Sequence, residues 1–363
     1  MGNHIRMWIA AGVVCVSAMA ALPANAQQET HKFDPFFENL LFQSQAYGFE
    51  MVGQRLNMAQ AFAAPVNPAL VPQLQRMELR DFARFRGTLA KGNPALEKSL
   101  AAALHDVMAD VQGGKAVTAE VVKARALLAQ AYDVVVDPAV QKTTHFKAAV
   151  LANLLMANDG VAEAFEDAIR ENWGYPNGWA AVRRVEVLWA EIAPQATPAQ
   201  RAEGNGVLDV LKSVFYAKPE PKIPFPAEEA EDVEALAIQM VGLIELVGDS
   251  YLHTGRDLRR LATHLAAVTT TACEAYERGD DAIGVEGVSA VLDHYRVQLA
   301  GTLDLISVNL RQKATQVFPR LVEVEYDFYE GFENLPPDTR QVSNAQLCRE
   351  LVTVFNEAAK DLH

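Results

Sequence analysis

Glu245, Asp249, His253 and Asp257 follow one another at four-residue intervals, and His264 comes seven positions later. On an uninterrupted helix this spacing lines the side chains along one stripe. Carboxylate oxygens and imidazole nitrogens together are a ligand set for a divalent or ferric ion. A second assignment competes with it. Thr254-Gly255-Arg256-Asp257 matches a capping box, and a helix restarting there would split the ladder. Asp249 and Asp257 would then be solvated or paired with Arg256, Arg259 and Arg260, and Gly242, Gly248 and Gly255 would mark a face for close helix contact.

Three further groups of residues carry chemical potential. Trp173, Trp179 and Trp189 flank Gly174-Tyr175-Pro176-Asn177-Gly178, a stretch rich in helix-breaking residues that predicts a turn. Trp173, Tyr175, Trp179 and Trp189 can pack a corner between helices. They can also form a binding surface, since Trp and Tyr anchor partners well. Residues 323–333 interleave five acids with four aromatics, and Glu323, Asp327 and Glu330 fall on one side of a helix there. That pattern suits a solvated amphipathic helix, or a face that chelates a cation or docks a basic partner.

Cys273 and Cys348 are the third group, and they are the cysteines left once the first twenty-six residues are removed. An even pair in an exported chain predicts a disulfide; two buried free thiols are the alternative. Several familiar signatures are absent from the sequence: C-x-x-C-H, H-E-x-x-H, E-x-x-H, G-x-S-x-G and the phosphate-binding loop. Their absence favours a binding or interaction protein over an enzyme.

The elements that must position these groups are helical. Apolar residues recur every three or four positions almost throughout, and no alternating run supports a strand. The expectation is an all-α chain of antiparallel helical hairpins forming two helical-bundle halves. Local punctuation fixes several ends. Asn93-Pro94 reads as an N-cap with Pro in the first turn, Gly113-Gly114 as a stop, and Thr197-Pro198 as another start. Pro219, Pro221, Pro224 and Pro226 crowd residues 218–226, which predicts an extended linker between an N-terminal domain, 27–217, and a C-terminal domain, 227–363. Charge changes at the same place: the C-terminal part holds 24 acids against 11 bases.

Residues 1–26 predict compartment. His4 and Arg6 precede an apolar run from Met7 to Ala21, and Ala24-Asn25-Ala26 forms an A-x-A cleavage site before Gln27. This is the pattern of a cleaved signal peptide, placing the mature chain in the periplasm or outside the cell. After cleavage no segment is apolar enough to serve as an integral membrane span. The net charge of −14 disfavours nucleic acid, whose phosphates need clustered Lys and Arg. A protein partner or small ligand is expected, and the alternative is periplasmic handling of iron or copper through the second-half carboxylates and histidines.

Length, export and two helical halves resemble the imelysin-type and iron-uptake-associated periplasmic proteins. Their G-x-H-x-x-E signature is missing here. Tyr251-Leu252-His253-Thr254-Gly255-Arg256 lacks both the Gly two positions before the His and the Glu three after it. The resemblance therefore carries no site residue onto this chain.

Overall fold

Apolar stripes build the described helices, and side-chain caps start several of them. A computed structural model describes residues 40–62, 70–157, 160–170, 174–215, 230–248, 258–295 and 344–361, and no strand occurs among them. The fold is all-α. The described helices, numbered in chain order, are α1 (Leu40–Phe62), α2 (Val71–Arg76), α3 (Ala83–Gly92), α4 (Pro94–Gln112), α5 (Thr118–Val135), α6 (Pro138–Gln141), α7 (Thr144–Met156) and α8 (Val161–Arg170). They continue with α9 (Gly174–Ile192), α10 (Pro198–Val214), α11 (Ala230–Gly248), α12 (Leu258–Glu277), α13 (Asp281–His294) and α14 (Asn344–Asp361). None is long and apolar enough to cross a membrane.

The predicted helix starts and stops rest on visible caps. The Asn93 side chain accepts from the Leu96 N–H at 3.1 Å, with Pro94 in the first turn of α4. Gly114, just past the end of α4, has φ +68°, a conformation glycine adopts freely. Thr197 and Gln200 form a reciprocal capping box at the head of α10: the Gln200 N–H donates to Thr197 Oγ1, and the Thr197 N–H donates to Gln200 Oε1.

Two local features depart from the expectation. A π-helical segment at Met77–Asp81 interrupts the helical run between α2 and α3, where periodicity alone predicts continuous α-helix. The extra residue in that turn lets Asp81 face inward. The supposed turn at 174–178 is instead the opening of α9. Proline is tolerated in the first turn of a helix. The glycines there serve proximity rather than bending: a Cβ on Gly178 would lie 2.1 Å from the Phe215 ring.

α1 is the central element. Tyr47, Phe49, Met51, Val52, Leu56, Met58 and Ala59 are buried, and so are Gln43, Ser44, Gln45, Glu50, Gln54 and Arg55. A helix buried all round must find neighbours on every side, and α5, α9 and α13 all pack against it. One apolar cluster joins α1 to α11, including Val233, Ala237, Met240 and Ile244. A second gathers α12, α13 and α14 around Leu261, Leu265, Leu292, Leu351 and Phe355. The proline-rich linker lies outside the described residues. Beyond it, α11 packs on α7 and α8 and shares their core, so among described residues the core divides between α11 and α12.

Candidate functional site

Ser44, Gln45, Glu50 and Arg55, four of the buried polar residues of α1, meet partners from distant elements. Arg55 Nε donates to Asp81 Oδ2 at 3.2 Å, and its Nη1 donates to Asn177 Oδ1 at 2.6 Å, tying α1 to the π-helical turn and to α9. Ser44 Oγ donates to Asp293 Oδ2 at 2.9 Å, and Arg84 Nη1 donates to the same oxygen. Gln45 Nε2 donates to Glu286 Oε2 at 3.1 Å, and the Thr88 hydroxyl and N–H donate to Glu286 at 2.6 and 2.8 Å. Close approach of α3 to α13 depends on Gly87, where a Cβ would sit 3.0 Å from Ile283 Cδ1. Burial pushes the Glu286 carboxyl up to about 7, although the bonds from Thr88 and Gln45 pull the other way.

A fourth partnership opens to solvent. Glu50, buried on α1, is gripped by Arg184 of α9: Nη2 donates to Oε1 at 2.9 Å and Nε donates to Oε2. Burial pulls the Arg184 pKa down, but the Glu50 carboxylate more than offsets this and holds the guanidinium above its ordinary value. Above this pair lies a cleft of about 390 Å³ walled by α1, α5, α6, α7 and α9. Its floor is Phe146, Val150 and Leu188, all buried. Its walls are Tyr132 with the Glu50–Arg184 pair, and Lys147 bound to Glu191 at 2.6 Å. Asp133, Pro138 and Lys142 are exposed at the rim, with Gln141 beside them.

Local sequence builds the corner that shapes this cleft. Asp137 caps the single-turn α6 by accepting the Ala139 N–H at 2.7 Å, with Pro138 next to it. Gln141 Nε2 turns back and donates to the Val136 carbonyl at 2.9 Å, serving the C-terminal end of α5. Thr143 then caps α7 by accepting the Phe146 N–H at 3.1 Å. The Tyr132 ring stacks on Phe49, centroids 4.6 Å apart. Burial, and secondarily the Glu50 charge, push the Tyr132 pKa far up, so its hydroxyl keeps its proton.

None of the described residues singled out by sequence lines this cleft. Of the metal ladder, Asp249, His253 and Asp257 fall outside the described residues. Glu245 is buried near the end of α11, while His264 is half-buried on α12. Among the described residues no three His, Cys, Asp or Glu side chains gather as a metal site. His145, with no ligand-spaced partner in sequence, has its Nδ1 2.7 Å from the Gly248 carbonyl at the end of α11. Of the aromatic group, Trp173 is outside the described residues. Tyr175 and Trp189 are buried, bonded to the Phe215 carbonyl and to Asn205 Oδ1, and Trp179 is half-buried beneath Arg183. These rings pack the α9–α10 corner. The acidic-aromatic stretch 323–333 is also outside the described residues.

The cysteine expectation needs correction. α12 and α14 bring Cys273 and Cys348 together, but as two free buried thiols within hydrogen-bond contact, not a disulfide. That contact and burial push the Cys348 thiol up, while the same contact pulls the Cys273 thiol down, so Cys348 is the thiol that keeps its proton. Mass spectrometry after alkylation in denaturant without reductant should therefore find two modified cysteines. A Cys273–Cys348 linked peptide would reinstate the disulfide.

Comparison of the chain with protein-family models, curated proteins and solved structures gave no match. The chemistry of the cleft therefore rests on its own residues. Sequence reading missed it because Glu50, Tyr132 and Arg184 are spread over 134 positions without a motif. The available signal was a charge set in an apolar helical run, as at Phe49-Glu50-Met51, which calls for a buried partner.

Proposed function

We propose that this chain is exported to the periplasm and works there as a helical binding module, with its ligand held in the cleft over the Glu50–Arg184 pair. The signal-peptide pattern of residues 1–26 supports export. The observation that carries the binding role is the cleft itself: about 390 Å³, apolar at the floor and polar at the walls. That combination of size and lining is typical of small-molecule sites. Helices from five different parts of the chain wall it, so its shape is set by the rigid core rather than by a loop. A preformed site loses little ordering entropy when it binds.

A ligand-observed NMR screen of small organic fragments against the full chain tests the reading. Compounds that bind should lose binding to Lys147→Trp, which places a bulky ring at the cleft wall in exchange for one partly exposed ion pair. Val150→Phe, which fills the floor, should act the same way. Fragments that bind wild type and both variants equally would place the site elsewhere.

A further inference from the structure

Resting on the cleft as the ligand site, we propose that its ligand class is a small carboxylate carrying an apolar body. The inference comes from which polar atoms are left unused. Both oxygens of Glu50 are occupied by Arg184, and Lys147 is bound to Glu191. Arg184 meets Glu50 through Nε and Nη2, which leaves its Nη1 and the end-on edge of the guanidinium unengaged. The Tyr132 hydroxyl makes no hydrogen bond to the described residues, and Lys142 forms no ion pair with them. The unused groups of Arg184 and Tyr132 inside the cleft, and of Lys142 at its rim, are donors.

Acceptor capacity left on the lining belongs to Asp133, which already accepts from Gln141 Nε2, to Gln141 itself and to Glu191, which already holds Lys147, and these side chains reach solvent. A ligand entering head-first therefore passes the Lys142 ammonium at the rim and meets a planar N–H edge and a protonated phenol inside. Carboxylate geometry matches the guanidinium edge in a bidentate fashion. A doubly charged phosphate would sit against Glu50 and Glu191 with less cationic compensation. An ammonium head would find its best acceptor, Glu50, already filled. Beyond the head, Phe146, Val150 and Leu188 offer an apolar bed for a ring or short chain.

Phenylacetate, phenylacetamide and 2-phenylethylamine, titrated into the full chain by calorimetry at constant ionic strength, separate the possibilities. Phenylacetate should bind about tenfold more tightly than the amide, as a lost charge-assisted hydrogen bond implies, and the amine more weakly still. Tyr132→Phe and Lys142→Gln should each weaken phenylacetate several-fold while leaving thermal unfolding unchanged, because neither side-chain head has a hydrogen-bonded or ionic partner among the described residues. Amide or amine binding that equals phenylacetate and is blocked by Lys147→Trp overturns the carboxylate class but keeps the cleft as a site. No binding by these three, alongside other fragments blocked by Lys147→Trp, does the same. A failure to find any fragment blocked by that variant overturns the site itself.

Discussion

Replacing Arg55 with Ala should destabilise the protein by about 3–5 kcal/mol, the usual penalty for removing one partner of a buried ion pair. Arg55 is 0 % exposed and Asp81 is 1 % exposed, so the carboxylate left behind has little recourse to water. The substitution also strips Asn177 of a 2.6 Å donor and empties a large volume beside α1. Urea unfolding of the full chain measures the effect. Arg170→Ala provides the scale, because Arg170 pairs with Glu166 on an exposed face of α8, where loss is worth about 0.5 kcal/mol or less. The double variant Arg55→Met with Asp81→Leu should recover much of the lost stability, because an apolar pair of similar volume leaves no buried charge. If Arg55→Ala costs no more than Arg170→Ala, the polar ties of α1 do not hold the core together.

The second large effect is a dependence on pH centred on Glu286. Its carboxyl has an ordinary value of 4.5 and is pushed up to about 7 by burial between α1, α3 and α13. An unfolded chain loses this proton near pH 4.5, whereas the folded chain keeps it until about pH 7. Across that window the folded state binds more protons than the unfolded one, so the contribution of Glu286 is fully present below the window and lost as pH rises through it. The loss is of order 3 kcal/mol. The groups that bond the carboxyl, Thr88 and Gln45, do not titrate, and Asp280 and Asp293, at the two ends of the same helix, are paired with Lys91 and Arg84.

Glu286→Gln keeps a neutral hydrogen-bonding side chain and removes the titration. The stability of that variant relative to wild type, from urea midpoints at pH 4.5 and 7.5, should therefore rise with pH by about 3 kcal/mol. A difference that stays flat between the two pH values would mean that Glu286 is already ionised in the folded protein.

Helices were legible in the sequence because their signals are local. Asn93-Pro94 and Gly113-Gly114 bracket α4, and Thr197-Pro198 with Gln200 opens α10; each cap works within a turn and needs no tertiary information. The opening of α9 was misjudged for the converse reason. Gly174, Pro176 and Gly178 look like turn formers, but the two glycines answer to neighbours distant from their own turn. A Cβ on Gly174 would lie 2.3 Å from the Ala168 N, and one on Gly178 would strike Phe215. The pairing of Cys273 with Cys348 was legible, but their chemical state was not.

The cleft was not legible at all. Glu50, Tyr132 and Arg184 sit on α1, α5 and α9, and nothing in the spacing of one announces the other two. The polar residues of α1 pose the same problem: Ser44, Gln45 and Arg55 look like the hydrophilic side of a surface helix until helices on every side bury them. The cleft is charge-balanced, with Arg184, Lys142 and Lys147 set against Glu50, Asp133 and Glu191, and all six lie before the acidic C-terminal part.

If the cleft over Glu50 and Arg184 holds the ligand, the side chains of its floor should report binding. The most direct test is the methyl NMR spectrum of the full chain with labelled Val and Leu, recorded against a fragment that binds. Val150 and Leu188 line the floor and belong to different helices, and the signal of Val150 is assigned by its loss in Val150→Ala. The methyl groups of Val150 and Leu188 should shift most and together, saturating with one affinity. Shifts confined to other Val and Leu residues, with Val150 and Leu188 unmoved at saturation, would contradict a ligand held in the cleft.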